Sequence, residues 1–298
     1  LAMQVLREYY RRGHLLILNG DIEELQKFNL ADIRRRWREM YEIFADFQRE
    51  GRLIRLAGNH DLELLSRQDP AMPVRESVRY RTGENDIFIF HGHQASRQYT
   101  LYNDHLGWAI RYLLRPLPVK NLSVSQNNRK KKRIEERVYS FSNQTRTVSV
   151  IGHTHRPLFE SLSKSDYIKY NIEHLCRRYM GADAEEREKI HDEIQDLKQH
   201  LEQQVKTMRR DFGSIYHEDF VVPLMFNSGC VLGKRGITCL ELTPQDISLK
   251  YWFDERRSKR YLHAEAYDPK PLPGTSYYET VIKTEQLEYV FARVRLLT

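Results

Sequence analysis

The chain has 298 residues, 40% of them apolar and 30% charged, which allows a large core and excludes a disordered composition. No run approaches ~18 consecutive apolar residues, so a membrane-spanning helix is excluded, and three cysteines (Cys176, Cys230, Cys239) are too few for a disulfide scaffold or a zinc ribbon. Lysine and arginine outnumber aspartate and glutamate by 48 to 41, a net charge of +7 that favours an anionic partner (phosphate ester, nucleic acid or anionic membrane surface) without choosing among them.

Residues 1–12 are charged throughout and carry no signal-peptide apolar region. His14 to Asn19 is a short apolar run that stops at Gly20 and reads as a buried parallel strand. Ala31 to Glu50 reads as one amphipathic helix, with Ile33, Trp37, Tyr41, Phe44 and Phe47 spaced at three or four and Gly51 ending it. Leu53 to Ala57, Asp86 to Phe90 and Thr147 to Ile151 are three further strands, stopped by Gly58, His91 and Gly152.

Between the third and fourth strands, Tyr99 to Leu114 and Arg129 to Phe141 read as helices. The second opens on a basic run, Arg129 to Arg133, which is either a solvated helix face or a phosphate contact at a site mouth. After the fourth strand, Ile168, Ile172, Leu175 and Tyr179, then Ile190, Ile194, Leu197 and Leu201, repeat at helical spacing around Gly181, with Asp183 and Glu186 as a capping pair. This predicts an inserted antiparallel helical hairpin that serves packing or dimerisation.

Strand pattern returns at Phe220 to Phe226, at Cys230 to Leu242 as a hairpin with Cys230 opposite Cys239, and at Ile247 to Phe253. Val281 to Leu297 reads as either helix or strand. The expected organisation is a core in two parts, residues 1–160 and 216–255, interrupted by the hairpin at 161–215 and followed by an extension at 256–298.

The four strands of the first half share a property. Each ends in a turn of small, polar or histidine residues: Asn19-Gly20-Asp21, Gly58-Asn59-His60-Asp61, His91-Gly92-His93 and Gly152-His153-Thr154-His155. Ligands bind beyond the carboxyl ends of strands in open α/β sheets, so these turns can converge on one point. Asp, Asn and His offer oxygen and nitrogen ligands suited to Mn, Fe or Zn, with no cysteine nearby to make a thiolate site. Asp21 can bridge two ions, Asn59, His91 and His153 can complete one of them, and His155 can serve the other.

That ordered set resembles the calcineurin-like metallophosphoesterase superfamily over Leu15 to about Pro157, and more loosely to Phe253. The resemblance implies an α/β fold, a two-sheet sandwich flanked by helices, and hydrolysis of a phosphoester or pyrophosphate bond. It implies two divalent metal ions and in-line attack by a metal-bridging hydroxide. It implies Asp21, Asn59, His91, His153 and His155 as metal ligands and His60 as the residue that assists the leaving group, oriented by Asp61.

Arg156 is either a phosphate contact or half of an ion pair, and Asn227 either reaches the rim or holds a turn. His93 is either a ligand or a partner behind the ligands, and Asp61 can also cap the segment after it. The superfamily's opening Asp-x-His does not occur before Asp21. The expectation is an upstream strand that carries it; the alternative is a one-metal or metal-free protein, and in either case the activity of the chain as it stands is in question.

The Gly152 to Pro157 segment is also similar to the UDP-2,3-diacylglucosamine pyrophosphatase branch, although that branch commonly has Asn-Arg-Asp and His-Gly-Asp where this chain has Asn59-His60-Asp61 and His91-Gly92-His93. An amphiphilic or small phosphorylated substrate, a cytoplasmic location with peripheral membrane contact and a homodimer through the hairpin are the corresponding expectations. The alternatives are a nuclease or cyclic-nucleotide phosphodiesterase, with nucleic acid less favoured because no aromatic–basic module is visible, and a non-catalytic scaffold.

Overall fold

A computed structural model describes residues 1–67, 69–96, 128–159, 168, 172, 175, 176, 178–208, 224–231, 236–258, 262 and 268–297. The fold is α/β, and among these residues the strands form three sheets. The expected helix at Tyr99 to Leu114, most of the first hairpin helix, the start of the Phe220 strand and the turn at 232–235 lie outside the described residues.

Helix α1 (Ala2–Arg11) leads into β1 (Leu16–Asn19), which pairs in parallel with β2 (Leu53–Leu56). Between them run α2 (Leu30–Arg36) and α3 (Arg38–Arg49), so the single expected helix is in fact two. The chain leaves helical geometry at Trp37 (φ −110°, ψ 30°), which is exposed, unlike Phe44 and Phe47 at the same spacing. Asn29 caps α2 by accepting the Asp32 N–H at 2.8 Å. The end of α3 closes as the sequence predicts: Gly51 sits at φ +67°, its N–H reaches Gln48 O and that of Arg52 reaches Phe47 O. Ile43, Phe44 and Phe47 of α3 pack with Leu18 and Leu53 beneath this sheet, whose third strand is β3 (Val74–Arg75).

After a short helix α4 (Leu64–Arg67) and β3, the five-stranded mixed sheet has the order β4-β5-β6-β8-β7: β4 (Ser77–Thr82), β5 (Asn85–Phe90), β6 (Val148–Ile151), β8 (Met225–Ser228) and β7 (Pro157–Leu158). Helix α5 (Asn128–Thr145) packs on it and buries Ile134 and Val138. The basic run that opens this helix is not uniformly solvated: Lys130 and Arg133 are exposed, whereas Lys131 is buried.

The third sheet has the order β11-β12-β10-β9, formed by β9 (Gly236–Leu242), β10 (Asp246–Asp254), β11 (Lys270–Pro271) and β12 (Tyr277–Gln286). The segment left open between helix and strand is both, β12 passing directly into α7 (Leu287–Leu297). Because β12 pairs with β10 from Asp246↔Gln286 to Asp254↔Tyr277 and with β11, these two strands of the expected C-terminal extension belong to this sheet.

Cys230 does not face Cys239. The Thr238 N–H approaches Cys230 O at 3.5 Å, so strand alternation turns Cys239 away, to a contact at 3.3 Å with the Tyr9 hydroxyl. All three cysteines are free.

The chain divides into two compact units, residues 1–159 with 223–298, and residues 160–222. In the second, α6 (Ala184–Met208) starts at Asp183, whose carboxylate accepts the Glu186 N–H at 2.9 Å, and Leu175, Ala182 and Ile190 form a small core of their own. No helix of the described residues is long and apolar enough to cross a membrane.

Candidate metal centre

Register places the site. β1 and β2 end level with each other (Asn19↔Leu56), so the turn 20–21 lies beside the turn 57–61. In the five-stranded sheet Ile89 pairs with Val150, which sets His91 beside Gly152, and the Gly152 N–H reaches His91 O at 3.0 Å. Ile151 pairs with Asn227 on the next strand.

The two sheets meet at His91. Its Nδ1–H donates to Asn19 O at 2.7 Å, which fixes the ring and aims Nε2 at Asp21 Oδ2, 3.1 Å away. His153 Nδ1 lies 3.2 Å from the same Nε2. Asp21, His91 and His153 each offer a ligand atom, and these atoms all lie within 4.8 Å of one another.

The backbone there is tightly constrained. Asp21, His153 and His155 adopt positive φ (56°, 56° and 57°), a region unfavourable for non-glycine residues that packing must enforce. Gly20 (φ +82°) is required by closeness as well as by φ, because a Cβ there would lie 2.5 Å from His91 Nδ1. A Cβ on Gly58 would lie 2.1 Å from Asp21 Oδ1.

Burial opposes ionisation of Asp21, but His91 and the His60 backbone N–H (2.9 Å from Oδ1) outweigh it and hold the carboxyl well below the usual carboxylate range. Burial also opposes charge on His91; the Asp21 carboxylate and the Asn19 carbonyl reverse this and raise it. Burial, with the neighbouring His91, pushes His153 down to about 3. His93, buried with its ring 5.4 Å from that of His91, is pushed to about 3 for the same reasons. His153 is therefore neutral, and a divalent cation taking the place of the proton that Asp21 favours on His91 Nε2 would leave two imidazoles and an ionised carboxylate as its donor set.

Two orphaned atoms fit the same reading. Asn59 Oδ1 and His153 Nε2 are buried and make no hydrogen bond, which costs stability unless a ligand takes their lone pairs. His155 stands outside the 4.8 Å group, though the charges of Asp21, His91 and His60 act on its ring after burial, the larger influence, has lowered it. Asp21, His91 and His153 are thus grouped at one point, Asn59 sits in the turn whose next residue, His60, donates its backbone N–H to Asp21, and His155 is not one of the three.

One sequence expectation is corrected here, and for two residues the structure shows one of the alternatives that the sequence left open. Asp61 does not orient His60. It is 1% exposed, and its carboxylate accepts N–H groups from Gly58 (2.6 Å), Ile22 (2.8 Å) and Glu23 (3.4 Å), stapling the turn after β1 to the turn after β2. The partner of His60 is Glu24, both of whose carboxylate oxygens lie 3.0 Å from Nδ1. Asn227 does not reach a rim: it is fully buried, donates to Gly152 O (3.0 Å) and Thr154 Oγ1 (2.8 Å) and accepts from the Gly229 N–H, so its capacity is spent on holding the histidine turn. Arg156 forms an ion pair, with Nη1 3.6 Å from Glu135 Oε2.

Glu24 and Glu135 were not singled out by sequence. Glu24 sits three residues after Asp21, a spacing that a turn brings back to the site. Glu135 hides among charged neighbours on α5, where only the flanking apolar Ile134 and Val138 mark its face as inward.

No family model matches the chain, and no curated protein matches it at a significant level.

Proposed function

We propose that the chain is a metal-dependent hydrolase of phosphoester or pyrophosphate bonds, built as a calcineurin-like metallophosphoesterase sandwich, with Asp21, Asn59, His91 and His153 as ligands of one divalent ion and Asp21 with His155 as ligands toward a second. The observation that carries this reading is the convergence of Asp21, His91 and His153, from the ends of strands in two different sheets, to within 4.8 Å. The donor set suits Mn, Fe or Zn.

When bound, the metal supplies positive charge to the phosphoryl oxygens and acidity to a water nucleophile. The protein's own residues do the rest. His91 is held by Asn19 O in the tautomer that presents Nε2. His60 is set by Glu24 at the edge of the cluster, with its own N–H on Asp21, where it can pass a proton to a departing oxygen. The Asp61 staple and the Asn227 brace keep the turns from relaxing, so the ligands are preorganised. A phosphorylated small-molecule or amphiphilic substrate matches the basic charge balance.

The test is turnover after reconstitution with Mn, Fe or Zn, assayed on p-nitrophenyl phosphate, bis(p-nitrophenyl) phosphate and a nucleoside diphosphate sugar. Metal-dependent hydrolysis of at least one of these, abolished in Asp21→Asn, supports the reading. Equal turnover in Asp21→Asn contradicts it.

A further inference from the structure

Helix α5 brings a second set of charges to the rim of the candidate metal centre. Lys131 and Glu135 lie four residues apart on one helix face. Glu135 is fully buried; its Oε1 accepts from Thr154 Oγ1 at 2.6 Å, and its Oε2 makes no hydrogen bond. Arg156 is drawn over Glu135 at 3.6 Å, and its side chain is still one-third exposed.

Lys131 is 8% exposed, and among the described residues no carboxylate lies within ion-pair reach of its ammonium. Its charge acts on Arg156, Glu135 and Cys230 and on the ring of His155. Lys131 lies one helical turn before the carboxylate that Arg156 overlies, and burying its ammonium there is costly, because desolvation and the charge of Arg156 both oppose it. Among the described residues the carboxylate that acts on Lys131 is Glu135, itself pushed toward its neutral form by burial and already overlain by Arg156. Packing of the lysine stem would account for a buried chain, but not for a second cation drawn to the same glutamate face.

We infer that Lys131 and Arg156, framed by Glu135 and Thr154, form an oxyanion subsite at the rim of the Asp21–His91–His153 cluster that takes a phosphate group. Arg156 supplies planar N–H donors and Lys131 a point charge, a combination suited to a tetrahedral dianion. The inference rests on the hydrolase reading for its purpose, but not for its chemistry.

The test is calorimetric binding of inorganic phosphate to the chelator-treated full chain at constant ionic strength, with acetate as the control anion. The expected result is phosphate binding that weakens at least tenfold in Lys131→Met, stays within a few-fold in Lys131→Arg, and is unchanged in Lys189→Met, whose lysine pairs with Glu185 on the separate helix α6. Unchanged phosphate affinity in a folded Lys131→Met, or no phosphate binding by the wild-type chain, overturns the inference. If Lys131→Met does not fold, acylation of Lys131 in the wild-type chain gives the same decision. Protection by phosphate supports the subsite, and equal labelling overturns it.

Kinetics of the reconstituted enzyme separate the two sources of the phosphate. A raised KM in Lys131→Arg or Lys131→Met identifies a substrate group, whereas loss of phosphate inhibition at unchanged KM identifies free phosphate. Metal binding measured on the same samples keeps the two readings apart. Phosphate held through Lys131 by a chain that binds no metal preserves the subsite and overturns the hydrolase. Metal bound with phosphate indifferent to Lys131 does the reverse.

Discussion

His91 Nε2 lies 3.1 Å from Asp21 Oδ2, although the two residues follow strands in different sheets. That contact, with the Nδ1–H of the same ring on Asn19 O, ties the end of the three-stranded sheet to the end of the five-stranded one. A histidine between two carbonyl or carboxylate oxygens is a polar clasp; with His153 at 3.2 Å it becomes a set of donors around one point.

The partner of His60 gives the first prediction. Glu24→Gln removes the charge that orients and supports the imidazole, while the metal-ligand residues are untouched. Turnover is expected to fall by roughly 10–100-fold, part of what acid–base assistance supplies, with KM little changed and metal content retained. Steady-state kinetics with metal analysis checks this; a fall in metal content would mean that Glu24 acts on the centre and not on His60.

A Gly58→Ala substitution places a methyl group 2.1 Å from Asp21 Oδ1. The clash is with a stapled turn and not a flexible side chain, so the backbone must shift, at a cost of about 1–3 kcal/mol. Thermal unfolding is expected to show that loss together with weakened metal binding. Gly83→Ala, where no atom lies within 4 Å of the new methyl but φ is +60°, is expected to cost only the backbone strain and to leave metal binding unchanged.

Asn227→Ala removes both donors that brace Gly152 and Thr154 from a fully buried position. The acceptors it leaves unpaired cost about 1–3 kcal/mol. The positive φ of His153 and His155 is expected to relax once the brace is gone, so metal affinity falls as well. Unfolding midpoints and equilibrium dialysis test the two effects separately.

Stability at low pH has a distinct source. Glu8 on α1 is hydrogen-bonded by Arg11 and Arg12, which outweigh burial and hold its carboxyl down at about 2 from an ordinary 4.5. A depressed folded-state value contributes stability that is present above about pH 4.5 and is lost as the pH falls toward 2. Denaturant midpoints of Glu8→Gln are therefore expected to lie below the wild type at pH 7 and to converge with it near pH 2. A gap that stayed constant with pH would show that packing, not charge, is what Glu8 provides.

Much of the site was legible because its turns interrupt apolar runs: Gly20, Gly58 and Gly152 mark where strands stop, and the polar residues beside them stand out in sequence. What was not legible depends on side-chain direction. Asp61 beside His60 suggested an orienting pair, but the turn points its carboxylate back at three backbone N–H groups and leaves His60 to Glu24. Trp37 fits the helical spacing and nonetheless breaks the helix, because periodicity registers an apolar residue without registering whether anything covers it. β4 was missed although Val78 and Tyr80 alternate with Arg79 and Arg81: the alternation is short, and on this edge strand Tyr80 is exposed like the arginines, so no buried face marks it.

Equilibrium dialysis of the purified chain against Mn, followed by elemental analysis of wild type, Asp21→Asn and His153→Ala, measures the claimed centre without relying on any substrate. Stoichiometric metal in the wild type, and its loss in both variants while they remain folded, is the predicted result. A wild-type chain that retains no divalent metal, or folded variants that hold as much as the wild type, would contradict it.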